Sequence, residues 1–168
     1  MSIANRFLPR VAAAAVAAGG LTVGSLALAT SASAASHGAG YRSGVPSGTT
    51  VGVGGGPRGI AVSPVTGNVY VDNADSGTVS VVDGQSGKVK ATVPVGMFPD
   101  AVAVSPLTED AFVANANTNT VSVISRHNTV TAIETGVAPF GAAISPQTGL
   151  AWIANSVSNT LTAITSGN

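Results

Sequence analysis

Residues 57–96 read PRGIAVSPVTGNVYVDNADSGTVSVVDGQSGKVKATVPVG, and this stretch is written twice more. From Pro99 the chain reads PDAVAVSPLTEDAFVANANTNTVSVISRHNTVTAIETG, and from Pro139 it reads PFGAAISPQTGLAWIANSVSNTLTAITSGN. The anchors hold register. Ser63-Pro64 returns as Ser105-Pro106 and Ser145-Pro146, Asn73 as Asn115 and Asn155, and Thr78 as Thr120 and Thr160. The offset is 42 residues and then 40. A period of this size built from short strands means propeller blades, arrays or solenoids.

Within a copy, apolar and polar residues alternate with period two, as half-buried antiparallel strands require. In the first copy the pattern predicts strands over Gly59–Ser63, Asn68–Asp72, Thr78–Asp83 and Lys88–Val93. Turns separate them. Ser63-Pro64-Val65-Thr66-Gly67 places Pro second and Gly last, where a tight turn favours them. The turn from Asn73 to Gly77 is rich in Asn, Asp and Gly, and its Asn is expected to bond nearby backbone. A bulky ring stands three residues before each of these asparagines: Tyr70, Phe112 and Trp152. Such a ring is expected to pack between adjacent sheets. No part of the repeat region carries a helical period. The fold class is therefore all-β, with four antiparallel strands in each of three repeats, as three propeller blades per chain would have.

The motif Tyr70-Val71-Asp72-Asn73, with Phe112-Val113-Ala114-Asn115 and Trp152-Ile153-Ala154-Asn155, resembles the YVTN family of β-propeller repeats. The Ser-Pro turns and the segments Thr78–Asp83 and Asn119–Ile124 strengthen the resemblance, which runs from Val53 to the last residue. It implies a propeller, a bacterial secreted or archaeal surface-layer setting, and kinship with lactonase and haem- or quinone-dependent propellers. It does not imply one activity. Complete members carry about twice as many repeats or more, and closed propellers usually have about four to eight blades.

The third copy stops after its third strand. Thr49–Val53, just before the first copy, stands where fourth strands precede the other two, at Ala91–Gly96 and Thr131–Gly136. It is expected to be a fourth strand that completes a blade whose other strands are C-terminal. Two chains head to tail would then make a six-bladed ring with every edge paired. An open arc, half of a six-bladed ring, is the alternative; a different propeller half or a truncated remnant also fits the repeat count.

Residues 1–34 have the layout of a signal peptide: Arg6 and Arg10, an apolar run over Val11–Ala29, and Ala32-Ser33-Ala34 as a cleavage site. Residues 35–48 form a Gly/Ser linker, and residues 49–168 the three-blade domain. The expected location is secreted, either extracellular or associated with the cell envelope, with no membrane attachment after cleavage. The chain has no cysteine, so no disulfide staples it. Removing Arg6 and Arg10 leaves five Lys/Arg against seven Asp/Glu, a net charge of −2. That balance gives no electrostatic drive toward nucleic acid.

Motifs for chemistry are weak. Gly52-Val53-Gly54-Gly55-Gly56-Pro57 has Pro57 where a phosphate loop needs its last glycine, and a strand follows instead of a helix. It reads as a flexible crossing between blades. Asp72 and Asp83 stand at the ends of a twelve-residue loop, yet Ala74 and Ser76 occupy ligand places that calcium needs. Asp72, Asp75 and Asp83 read as turn-forming carboxylates. His37 and His127 have no acidic or histidine partner in sequence. Lys88 and Lys90 read as edge charges that discourage aggregation. No metal, cofactor or catalytic residue is expected.

One repeat position diverges in chemistry. After each leading proline stand Arg58, Asp100 and Phe140. A site grafted on a repeating scaffold would show such divergence, so these three are the candidate ligand-binding residues. An Arg58–Asp100 ion pair between neighbouring blades explains two of them equally well. The leading reading is a secreted scaffold that binds a protein, glycan or small ligand without catalysis. The alternatives are a structural envelope protein or truncated propeller remnant, and an extracellular lactonase-like or quinoprotein-like enzyme.

Overall fold

The computed structural model describes residues 48–165. The expected signal peptide with its cut after Ala34, the linker up to residue 47 with His37, and residues 166–168 lie outside the described residues. Eleven strands follow one another without a helix among the described residues. Blade one holds β1 (Pro57–Val62), β2 (Asn68–Asn73), β3 (Thr78–Asp83) and β4 (Val89–Pro94). Blade two holds β5 (Pro99–Val104), β6 (Ala111–Asn115), β7 (Thr120–Ile124) and β8 (Val130–Glu134). Blade three holds β9 (Pro139–Ile144), β10 (Ala151–Asn155) and β11 (Thr160–Ile164). Each blade is an antiparallel meander in chain order, with four, four and three strands. The first strands β1, β5 and β9 lie side by side and form the inner edge of the arc.

Local chemistry explains the turns. Ser63 Oγ accepts hydrogen bonds from the backbone N–H groups of Val65 and Thr66, at 3.2 and 3.0 Å, and Ser105 does the same for Leu107 and Thr108. At the last turn position Gly67, Glu109 and Gly149 all take positive φ. In the second hairpin the left-handed place falls to Gly77, Asn119 and Asn159, residues that tolerate it.

One expectation changes, and another turns on a partner chain. Among the described residues of the single chain Thr49–Val53 pairs with no strand, and the Val51 side chain lies beside Gly87 of blade one. The repeated asparagines do not cap their turns. Asn73, Asn115 and Asn155 are buried, and each Nδ2 donates across the β2–β3 hairpin or its counterpart. Asn115 donates to Thr120 Oγ1 at 3.2 Å and to Ser122 Oγ at 2.9 Å; Asn73 uses Thr78 and Ser80, and Asn155 uses Thr160 and Thr162. The fixed spacing of Asn and Thr in the repeat is this clamp. Asn115→Ala is expected to lower stability by about 1–2 kcal/mol, since it removes one buried and one part-buried bond and leaves Ser122 without its donor. A thermal melt checks it, and an unchanged midpoint would mean that the clamp contributes nothing.

Two apolar clusters hold the blades together. Tyr70, Val79, Val81 and Val93 of blade one meet Val102, Ala111, Val113 and Ile124 of blade two. Phe112, Ala114 and Val121 of blade two meet Ala151, Ile153 and Ile164 of blade three. Tyr70 and Phe112 are thus rings between sheets, as their place in the repeat predicted. Trp152 holds the same place but stays 42% exposed.

Candidate functional site

The site is built at one end of the sheets, where the links between blades meet the second hairpins. Each link lies along a turn and bonds it twice. Ala74 N donates to Gly56 O and Asp75 N to Gly55 O; Ala116 and Asn117 repeat this with Phe98 and Met97, and Ser156 and Val157 with Ala138 and Val137. Gly55 N also donates to Ser76 Oγ at 2.7 Å. The glycine-rich crossing read as flexible is therefore tied down along its length. Its glycines serve close approach: a Cβ on Gly54 would stand 2.6 Å from Asn73 Cγ, and one on Gly96 would stand 2.6 Å from Asn115 Cγ.

Arg58 and Asp100 meet. The Arg58 Nε pairs with Asp100 Oδ1 across the boundary of blades one and two. The guanidinium also lies over the Phe98 ring, 5.0 Å from its centroid, in cation–π geometry. Phe98 takes φ of 56°, at the link position held by Gly56 and Ala138. A bulky residue in the left-handed region is strained by about 1–3 kcal/mol. Here the strain places a ring beneath the arginine. Phe140 keeps the equivalent position on β9 and is half exposed. The described structure gives it no polar partner.

Asp72 lies beneath this cluster. It is wholly buried, and neither carboxylate oxygen has a hydrogen-bond partner. Burial first, and then the neighbouring Asp100 carboxylate, push its pKa up to about 7. Gly59 makes room for it, since a Cβ there would stand 2.5 Å from Asp72 Oδ2 and 3.0 Å from the Asp100 carbonyl. Asp72 is therefore not a turn-forming residue. It is also no partner for Asp83, because Asp72 pairs with Val79 and Asp83 with Asn68, at opposite ends of the hairpin ladder. Asp83 does form a turn. It accepts from the N–H and Oγ of Ser86 and from Gln85 N, and the first of these bonds leads in lowering its pKa.

The remaining candidates stand apart. Arg126 Nε donates to His127 Nε2 on an exposed hairpin. Lys90 Nζ donates to Asn68 Oδ1 at 3.1 Å on the outer strand, and Lys88 is exposed. No group of three or more metal-ligating side chains occurs among the described residues. Sequence reasoning missed Phe98 and misread Asp72. Both break the repeat, where Gly56 and Ala138, or Ala114 and Ala154, hold the same places.

Solved structures share this arrangement of sheets. Virginiamycin B lyase from Staphylococcus aureus superposes with a TM-score of 0.53 at 17% identity, over 67% of this chain and 42% of that one. The WD40 β-propeller domain of Doa1 superposes with a TM-score of 0.55 at 18% identity, over 67% and 37%. The sheets are β-propeller blades. Hydrazine synthase from Kuenenia stuttgartiensis reaches a TM-score of 0.63 at 31% identity, over 74% of this chain and 37% of that one. The chain therefore spans less than half the length of each of these structures. No protein-family model matches it, and no curated protein matches it in sequence.

Proposed function

We propose that this chain is an exported β-propeller scaffold of the YVTN repeat type that binds a partner without catalysing a reaction. The observation that carries this reading is the linked end of the blades. Arg58, stacked on Phe98 and paired with Asp100, stands in a rim where Met97, Val137, Phe140 and Val157 are exposed and apolar. Scattered apolar residues on a surface need no explanation, but a group of them at one end of a scaffold marks an interaction site. The fixed cation and flat ring of Arg58 and Phe98 resemble what protein interfaces favour, since Arg and aromatic residues are enriched there. The depression at this end, lined by Ala74, Asp75, Ser76, Gly77, Met97, Phe98 and Asn117, is open to solvent. An open, part-apolar rim suits a protein segment better than a small molecule, which prefers a concave pocket.

The test is a panel of immobilised peptides and glycans probed with the exported chain and with Phe140→Ser. Phe140 is half exposed, so its loss leaves the fold intact. A ligand held by the parent and weakened at least about tenfold in the variant, at an unchanged melting temperature, supports the reading; tenfold is 1.4 kcal/mol, typical of an interface anchor. Equal binding by both proteins, or turnover of a lactone substrate, would overturn it.

A further inference from the structure

We infer that a second copy of this chain covers both open faces, so that two chains close a six-bladed ring. The argument rests on the repeat. Each internal boundary joins the forward face of one blade to the rear face of the next. Tyr70, Val79 and Val81 form the forward face of blade one, and Phe112 and Val121 stand in the same places on blade two. Val102, Ala111, Val113 and Ile124 form the rear face of blade two, and Ala142, Ala151, Ile153 and Ile164 that of blade three.

Two faces of these kinds stand largely open among the described residues. On blade three the forward places hold Trp152, Leu161 and Ala163. Leu161 is 67% exposed where Val79 and Val121 are fully buried. On blade one the rear places hold Ile60 and Val62, which are exposed, Val69 and Val71, which are partly exposed, and Val82, which is already buried. Ile60 is 67% exposed where Val102 is 8%. None of these residues is charged, although each lies on a face that solvent would otherwise shape as polar. They are apolar, like the residues that pack together at the two internal boundaries, with Trp152 in the place of Tyr70 and Phe112. The forward face of one copy therefore fits the rear face of another by contacts of the kind that join the blades within a chain.

Two such contacts related by a two-fold axis close the assembly, with no open face left to propagate a filament. Six blades lie within the range in which propellers close. The edge of β11 is completed in the same step. Residues 49–53 hold the repeat place of the outer strands, yet pair with no described strand of their own chain. In the ring they supply the fourth strand of the partner's third blade. The linked ends of all six blades then face one mouth, where Arg58, Asp100 and Phe140 occur twice.

Trp152 is the only tryptophan of the chain, and it lies on the proposed contact. The experiment is sedimentation of the full exported chain over a dilution series, with tryptophan emission read on the same samples. The expected result is twice the chain mass at micromolar concentration. On dilution the mass should halve while the emission moves to the red. Leu161→Lys and Ile60→Lys should each give a monomer with red emission and unchanged far-ultraviolet circular dichroism, because both side chains are exposed in the single chain. A stable monomer at micromolar concentration would overturn the inference and leave the faces to a different propeller half or to further blades. Open-ended oligomers would overturn the ring, and so would a dimer that both lysine variants leave intact.

Discussion

Phe112→Ala is expected to remove about 3–5 kcal/mol of stability, the usual cost of deleting a fully buried phenylalanine ring. The ring has no solvent exposure and stands between blades two and three, against Ala151, Ile153 and Ile164. These neighbours are small or held in strands, so the cavity cannot collapse. A loss of this size is a large share of the roughly 5–15 kcal/mol that holds a domain folded. Urea unfolding checks it. A midpoint within experimental error of the parent would show that the sheets do not pack through this ring.

The second large effect concerns Asp72 and has the opposite sign. Its carboxyl ordinarily titrates near 3.8, and in the fold it titrates near 7. Below pH 3.8 it is neutral in both states and changes nothing. Between the two values the unfolded chain gives up its proton first, so stability falls as pH rises. Above pH 7 the loss is complete, at about 4 kcal/mol for a shift of this size. Asp72→Ala, which installs the residue found at Ala114 and Ala154, should abolish the loss. At pH 8 its melting temperature should exceed the parent's by on the order of 10 °C. Near pH 4 the two proteins should melt alike. Equal melting at pH 8 would mean that the buried carboxylate is better compensated than its surroundings indicate. Of the two acids, Arg58 pairs with Asp100.

The blade architecture was legible because it is enforced by repetition. Alternation placed the strands, and the fixed interval between Asn73 and Thr78 marked a hairpin in every copy. The purpose of that asparagine was not legible. A side chain that caps a turn and one that clamps two strands have the same spacing in sequence, and only burial separates them. The N-terminal strand was read from its repeat place, but strand formation needs a ladder partner, and no described strand of the single chain pairs with it. At the candidate site the divergent trio Arg58, Asp100 and Phe140 could be found by comparing copies. That the first two would pair depended on the approach of β1 to β5, which no local pattern encodes. Asp72 was visible as a break in the repeat. Its burial was not, because an aspartate beside a turn is ordinarily solvated.

The glycines that press on the asparagines have a consequence for how such a chain can grow or shrink. Gly96 precedes blade two, yet it closes over Asn115 inside that blade, and Gly136 does the same for Asn155. The piece that locks a blade is thus encoded upstream of its first strand. A duplication or deletion whose breakpoints fall at the sheet limits, Pro57 or Pro99, would separate a blade from its lock. The heritable unit that can be copied without damage runs instead from Gly54 to Val95, or from Gly96 to Thr135. Its seams lie within the links and not at the edges of the sheets.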